Sequence, residues 1–131
     1  MKTILTFLLL LLTTILAFIL LIPSFIYMLI RSILHKGLRN YFYRIAFSLD
    51  QLGNVVCGEM LNDWLIKPEG YRFGAVDVTI SHVIGTNLKN NTLYPFGKGV
   101  AKTIDFFAYI FVKEKNHCLN AADKSQINLY K

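Results

Sequence analysis

The stretch that decides the fold is Thr3–Ile30, TILTFLLLLLTTILAFILLIPSFIYMLI, which holds no charged residue. As a helix at 1.5 Å per residue it reaches about 42 Å, against a hydrocarbon core about 30 Å thick. It therefore predicts one transmembrane helix, long enough to tilt or to leave the lipid in its last turns. Pro23 removes a backbone hydrogen bond and predicts a kink. Tyr27 lies where an aromatic ring suits the membrane interface. A cleaved signal peptide is the rival reading, with Lys2 as its basic start and Ile4 to Leu12 as its apolar core. Thr14–Ala17 matches a small-x-small cleavage site poorly, however, and Phe18 to Ile22 continues the apolar run. A hairpin re-entering through Pro23-Ser24 leaves each arm too short to cross.

Outward from this run the charge is lopsided. Only Lys2 precedes it, whereas Arg31, Lys36, Arg39 and Arg44 follow it, with no acid before Asp50. The positive-inside rule then puts the C-terminal part in the cytoplasm, with the span in the inner membrane. The same four cations suit anionic lipid headgroups. The net charge of +6 is mostly juxtamembrane, since nine Lys or Arg face eight acids from Leu49 onward. A nucleic-acid-binding domain should carry a basic face of its own, so no nucleic acid is expected as a partner. Cys57 and Cys118 should remain thiols in a reducing compartment. The triplet Asn90-Asn91-Thr92 has no meaning as a glycosylation signal there.

The expected organisation is a transmembrane anchor with its basic flank over residues 1–36, a small helical domain over 37–122 and a polar tail over 123–131. The fold class is all-α. A helix from about Arg39 to Leu65 is predicted by Phe42, Ile45, Leu49, Leu52, Val56, Met60 and Trp64, which recur at spacings of three or four and draw one apolar stripe. That stripe needs other helices, or a membrane surface, to cover it. Pro68-Glu69-Gly70 ends the element. Val76 to Gly85 reads two ways. Val76, Val78 and Ile80 alternate with polar residues as in a strand, whereas Ile80, Val83 and Ile84 suit a helix. A short helix with Asp77 as N-cap and Gly85 as stop is favoured, because no partner strand appears elsewhere. Asn87 to Gly99 reads as a loop. Lys98 to Val112 reads as a helix, and Asn116 could cap a final turn bearing His117 and Cys118. The expected core is Leu49, Leu52, Val56, Trp64, Ile80, Ile84, Ile104, Phe107 and Phe111.

Asp50, Asn54 and Cys57 follow one another at single helical turns along the flank of the stripe. Polar groups so placed either fix a neighbouring loop or form a site. A network of Asp50, Gln51, Asn54, Asp77, Thr79 and Ser81 is expected to tie the long helix to the 77–81 segment. The candidates for chemistry are Asp50, Asp77, His82, His117 and Cys118. No pair of His or Cys shows metal-ligand spacing, so neither a metal nor another cofactor is expected. P-loop, Rossmann, H-E-x-x-H and G-x-S-x-G patterns are all missing.

The series Asp50-Gln51-x-x-Asn54, Asp77-x-Thr79-Ile80-Ser81 and His117-Cys118 resembles a loose group of short phage and prophage proteins that share D-Q-x-x-N, D-x-T-I-S and H-C in this order. The likeness covers about residues 44–122. It departs from the group's form at Val78, where an acid is commoner, and at His82, where a basic residue is, so no acidic pair is carried over. The resemblance implies a viral origin, an apolar N-terminus and no particular chemistry. The leading expectation is a membrane-anchored accessory protein that acts by protein–protein contact, with room for a homo-oligomer. The alternative is a membrane-tethered hydrolase or metal-dependent enzyme built on the five candidates above.

Overall fold

The computed structural model describes residues 2–34 and 37–124. The expected headgroup ligand Lys36 and most of the polar tail lie outside that range. Five α-helices follow in order: α1 Lys2–Leu34, α2 Leu38–Leu65, α3 Ile80–Lys89, α4 Pro95–Val112 and α5 His117–Asp123. Among the described residues there is no strand; Ile66 and Leu93 form an isolated antiparallel bridge. The fold class is all-α, as the sequence predicts. The chain divides into two compact units, residues 1–45 and 46–131.

In the first unit, α1 is long and apolar enough to cross a membrane. It runs through Pro23 without a break. Thr6, Thr13 and Thr14 return their hydroxyls to carbonyls three or four residues earlier, so they add no unpaired donor to the apolar surface. The Gly37 N–H closes the end of α1 on the Ser32 carbonyl at 3.0 Å. Tyr41 at the start of α2 meets Phe25 with ring centroids 6.1 Å apart. Arg31, Arg39 and Arg44 are all exposed.

The second unit holds the core: Leu65, Ile66, Phe73, Val78, Val83, Ile84, Leu93, Ala101 and Cys118, with Ile80 and Ile104 packed against it. This corrects the expected core. Ile84 is fully buried, but Leu49, Leu52, Val56, Trp64, Phe107 and Phe111 are exposed. The reason lies in α2, which turns the other way. Its buried residues are Asn54, Gly58, Asn62 and Leu65, spaced by four, four and three. The 71–78 loop presses on this face so closely that a Cβ at Gly58 would sit 2.9 Å from the Gly74 Cα.

Two helix boundaries also differ from expectation. Thr79 rather than Asp77 caps α3, accepting the His82 N–H at 3.1 Å. Gly85 does not stop that helix, which continues to Lys89. Gly85 is instead where α3 meets α5, and any side chain there would collide with the Cys118 carbonyl. Absence of a Cβ, not freedom of backbone angle, is what the position requires.

Candidate functional site

The 71–78 loop has no regular structure, so its buried backbone groups need partners from outside. Side-chain amides supply them. Asn54, fully buried on α2, donates through Nδ2 to the carbonyls of Ala75 and Val78, both at 2.8 Å, and accepts the Gly74 N–H at 3.1 Å. Two turns further along α2, Asn62 accepts the Phe73 N–H at 2.8 Å and donates to the Phe73 carbonyl at 3.3 Å. From the opposite element, Asn87 of α3 accepts the Tyr71 N–H at 2.8 Å and donates to the Tyr71 carbonyl at 2.7 Å. Thr92 donates its hydroxyl to the same Asn87 oxygen at 2.5 Å. An amide suits this work because it carries both donors and acceptors on one planar group.

Asp50 extends the clamp. Its Oδ1 accepts the Ile80 N–H at 3.0 Å and its Oδ2 the Ser81 hydroxyl at 2.8 Å. The carboxylate thus sits on the first turn of α3, where unpaired N–H groups and the helix dipole favour negative charge. The structure therefore brings Asp50, Asn54, Thr79 and Ser81 together, with Gln51 half-buried on the same helix. Asp77 is exposed and makes no hydrogen bond with the group. Asn62 and Asn87 belong to the clamp and were not singled out from the sequence. Asn62 carried a signal, since it stands two turns from Asn54 on the side of α2 away from the apolar stripe, whereas Asn87 on α3 carried none.

The remaining candidates for chemistry each have a separate structural engagement. His82 Nδ1 lies 3.0 Å from the Ala121 carbonyl, and its ring meets Tyr71 edge-on. His117 Nδ1 lies 2.8 Å from Glu114 Oε2. Glu114 also accepts from Asn120 and Lys124, both at 3.1 Å. Partial burial alone would raise the Glu114 carboxyl, but the bonds from His117, Asn120 and Lys124, with the nearby His117 charge, outweigh it and hold the group down at about 2.

Cys118 has no exposed surface. Its N–H donates to Asp105 Oδ1 at 2.8 Å, and its sulfur lies 3.9 Å from the Ala101 carbonyl. Burial, followed by the neighbouring Asp105 and then Asp50 charges, pushes its thiol far up. Held protonated and enclosed, it is a poor nucleophile. Cys57 is also a free thiol. Among the described residues, no three of His, Cys, Asp or Glu are grouped to hold a metal ion. None has a buried side-chain nitrogen or oxygen left without a hydrogen-bond partner.

The chain matches no family model, no curated protein and no solved structure. The functional reading therefore rests on the molecule's own surfaces. Two of these stand out. Leu49, Leu52, Val56, Met60 and Trp64 form an exposed apolar stripe along α2. Phe96, Phe106, Phe107, Ile110 and Phe111 form a second one along α4. Large apolar surfaces of this kind mark contact with a partner or a membrane rather than chemistry.

Proposed function

We propose that this is a membrane-anchored accessory protein of phage type that works by contact with another protein, in host takeover, superinfection exclusion or lysis control. α1 is the anchor in the inner membrane, and the helical unit stands on the cytoplasmic side. The anchor is supported by the length and apolarity of α1. The orientation is supported by Arg31, Arg39 and Arg44 against the lone Lys2. The phage origin is supported by the D-Q-x-x-N, D-x-T-I-S and H-C series.

One observation carries the contact role: the α2 stripe lies open to solvent while the buried polar residues of the same helix, Asn54 and Asn62, are taken up in holding a loop. Glu59 and Asp63 flank the stripe and are exposed. A mixed apolar and acidic surface suits a protein partner better than anionic lipid.

A photocrosslinking residue placed at Val56 in the full chain, with another at exposed Val76 as control, tests the reading in bacterial inner membranes. A reporter active only in the cytoplasm, fused after Lys131, tests the orientation in the same cells. The expected result is one discrete adduct from position 56, none from 76, and an active reporter. Equal, diffuse labelling from both positions would contradict the contact role. A silent reporter, with a periplasmic one active in its place, would contradict the orientation.

A further inference from the structure

We propose that the aromatic face of α4 is a second lipid-contacting surface, which lays the helical unit against an anionic bilayer. The proposal rests on the reading of α1 as a membrane anchor, since that anchor tethers the rest of the chain to lipid.

α4 has two unlike sides. Gly97 and Ala101 are its buried residues, and they bring the helix close to the core. Away from them stand Phe96, Phe106, Phe107, Ile110 and Phe111, all exposed. Phe107 and Phe111 stack with centroids 6.2 Å apart, and Phe106 meets Phe107 edge-on at 5.7 Å. The rings of Phe106, Phe107 and Phe111 thus form one continuous patch, with Phe96 exposed nearer the start of the helix. No described part of the chain covers it.

Charge decides the occupant. Lys98, Lys102 and the C-cap residue Lys113 are exposed along this helix. Lys98 Nζ donates to Asn91 Oδ1 at 3.0 Å, and Lys113 Nζ sits 5.5 Å above the Tyr109 ring. The one acid in α4, Asp105, is turned inward to accept the Cys118 N–H. Glu114, just beyond the helix, is paired with Lys124 at 3.1 Å and hydrogen-bonded to His117. Aromatic side chains beside lysines, with no free acid among them, are the composition of a helix lying in a membrane interface. The lysine stems can run along the apolar surface while their ammonium groups reach the headgroups. α2 lacks this composition, because the exposed carboxylate of Asp63 stands beside its stripe, with Glu59 next to it paired to Arg72 at 3.2 Å.

The test uses the full chain with Trp64→Phe, which removes the one native tryptophan, combined with Phe107→Trp as probe. A second version places the probe at Phe111→Trp, where the residue is 78% exposed. Each is reconstituted in phosphatidylcholine and phosphatidylglycerol vesicles, with and without bromine on the acyl chains. The expected result is emission cut by about half or more by the brominated lipid at both positions. Quenching should weaken in phosphatidylcholine alone, and weaken again with Lys102→Glu. Emission untouched by bromine overturns the proposal, whether acrylamide reaches the indole from water or a protein partner shields it from both quenchers. An alkaline carbonate wash reports the anchor separately. Loss of the chain from the vesicles would overturn the reading of α1, while quenching measured before the wash decides the role of α4 in either case.

Discussion

The two faces of α2 carry opposite compositions and opposite fates. The face with Leu49, Leu52, Val56, Met60 and Trp64 is open, while the face with Asn54, Gly58 and Asn62 is closed. In an ordinary amphipathic helix the apolar side would be the buried one. Here the fold needs α2 for something an apolar side cannot do, which is to satisfy the backbone of an irregular loop. Asparagines do that, and a glycine between them gives the loop room. The apolar side is left for an outside surface. On α2, polar residues therefore hold the loop and apolar residues are what the helix offers to its surroundings, while the apolar core of the unit gathers around Leu65, Val83, Ile84 and Leu93.

The sharpest local challenge to that contrast is Asp50→Ala. It leaves the Ile80 N–H and the Ser81 hydroxyl without their acceptor. The unit should lose about 1–3 kcal/mol, as expected for a buried group left unsatisfied. Thermal melts of the full chain in detergent check this. A melting temperature equal to that of the parent would mean that Asp50 does not hold the first turn of α3 to α2.

A smaller effect should appear with acid. The Glu114 carboxyl is held down from 4.5 to about 2 in the folded protein. A depressed folded-state value means stability that is fully present above the unfolded value and lost as pH falls through the folded one. The melting temperature should therefore decline between about pH 4.5 and about pH 2, and Glu114→Gln should flatten that part of the profile. Parallel profiles for the parent and Glu114→Gln would remove Glu114 as a source of the decline.

The fold class was legible in the sequence because it rests on features that need no tertiary context. A charge-free run longer than a bilayer, and apolar spacings of three and four, define α1 and α2 by themselves. The direction in which α2 faces was not legible. Periodicity finds a stripe but does not say what covers it, and a chain that offers an apolar surface to lipid or to a partner breaks the usual inference. Asp50 and Asn54 could be singled out because they stand together on a helix flank beside a recurring pattern. Asn87 could not, because it sits in a stretch rich in Asn and Gly that reads as a loop, while the structure makes it the last turns of α3. Gly85 misled for a related reason. A glycine near a helix end reads as a stop, whereas here it is the contact point with α5.

The central claim, that α2 is closed by its polar face and open on its apolar one, is tested most directly by exchanging the chemistry of two neighbours. Asn54 is 0% exposed and Val56 is 73% exposed. Asn54→Leu should cost about 3 kcal/mol or more, because three loop backbone groups lose their partner in a closed space. Val56→Asn should change stability by no more than about 0.5 kcal/mol, since valine and asparagine have similar helix propensities and the site is open. Paired thermal melts of the two full-length variants in detergent give both values. A large loss from Asn54→Leu beside an unchanged Val56→Asn is the predicted result. The reverse pattern, with Val56→Asn strongly destabilising and Asn54→Leu tolerated, would show that the apolar stripe is the core and would contradict the account.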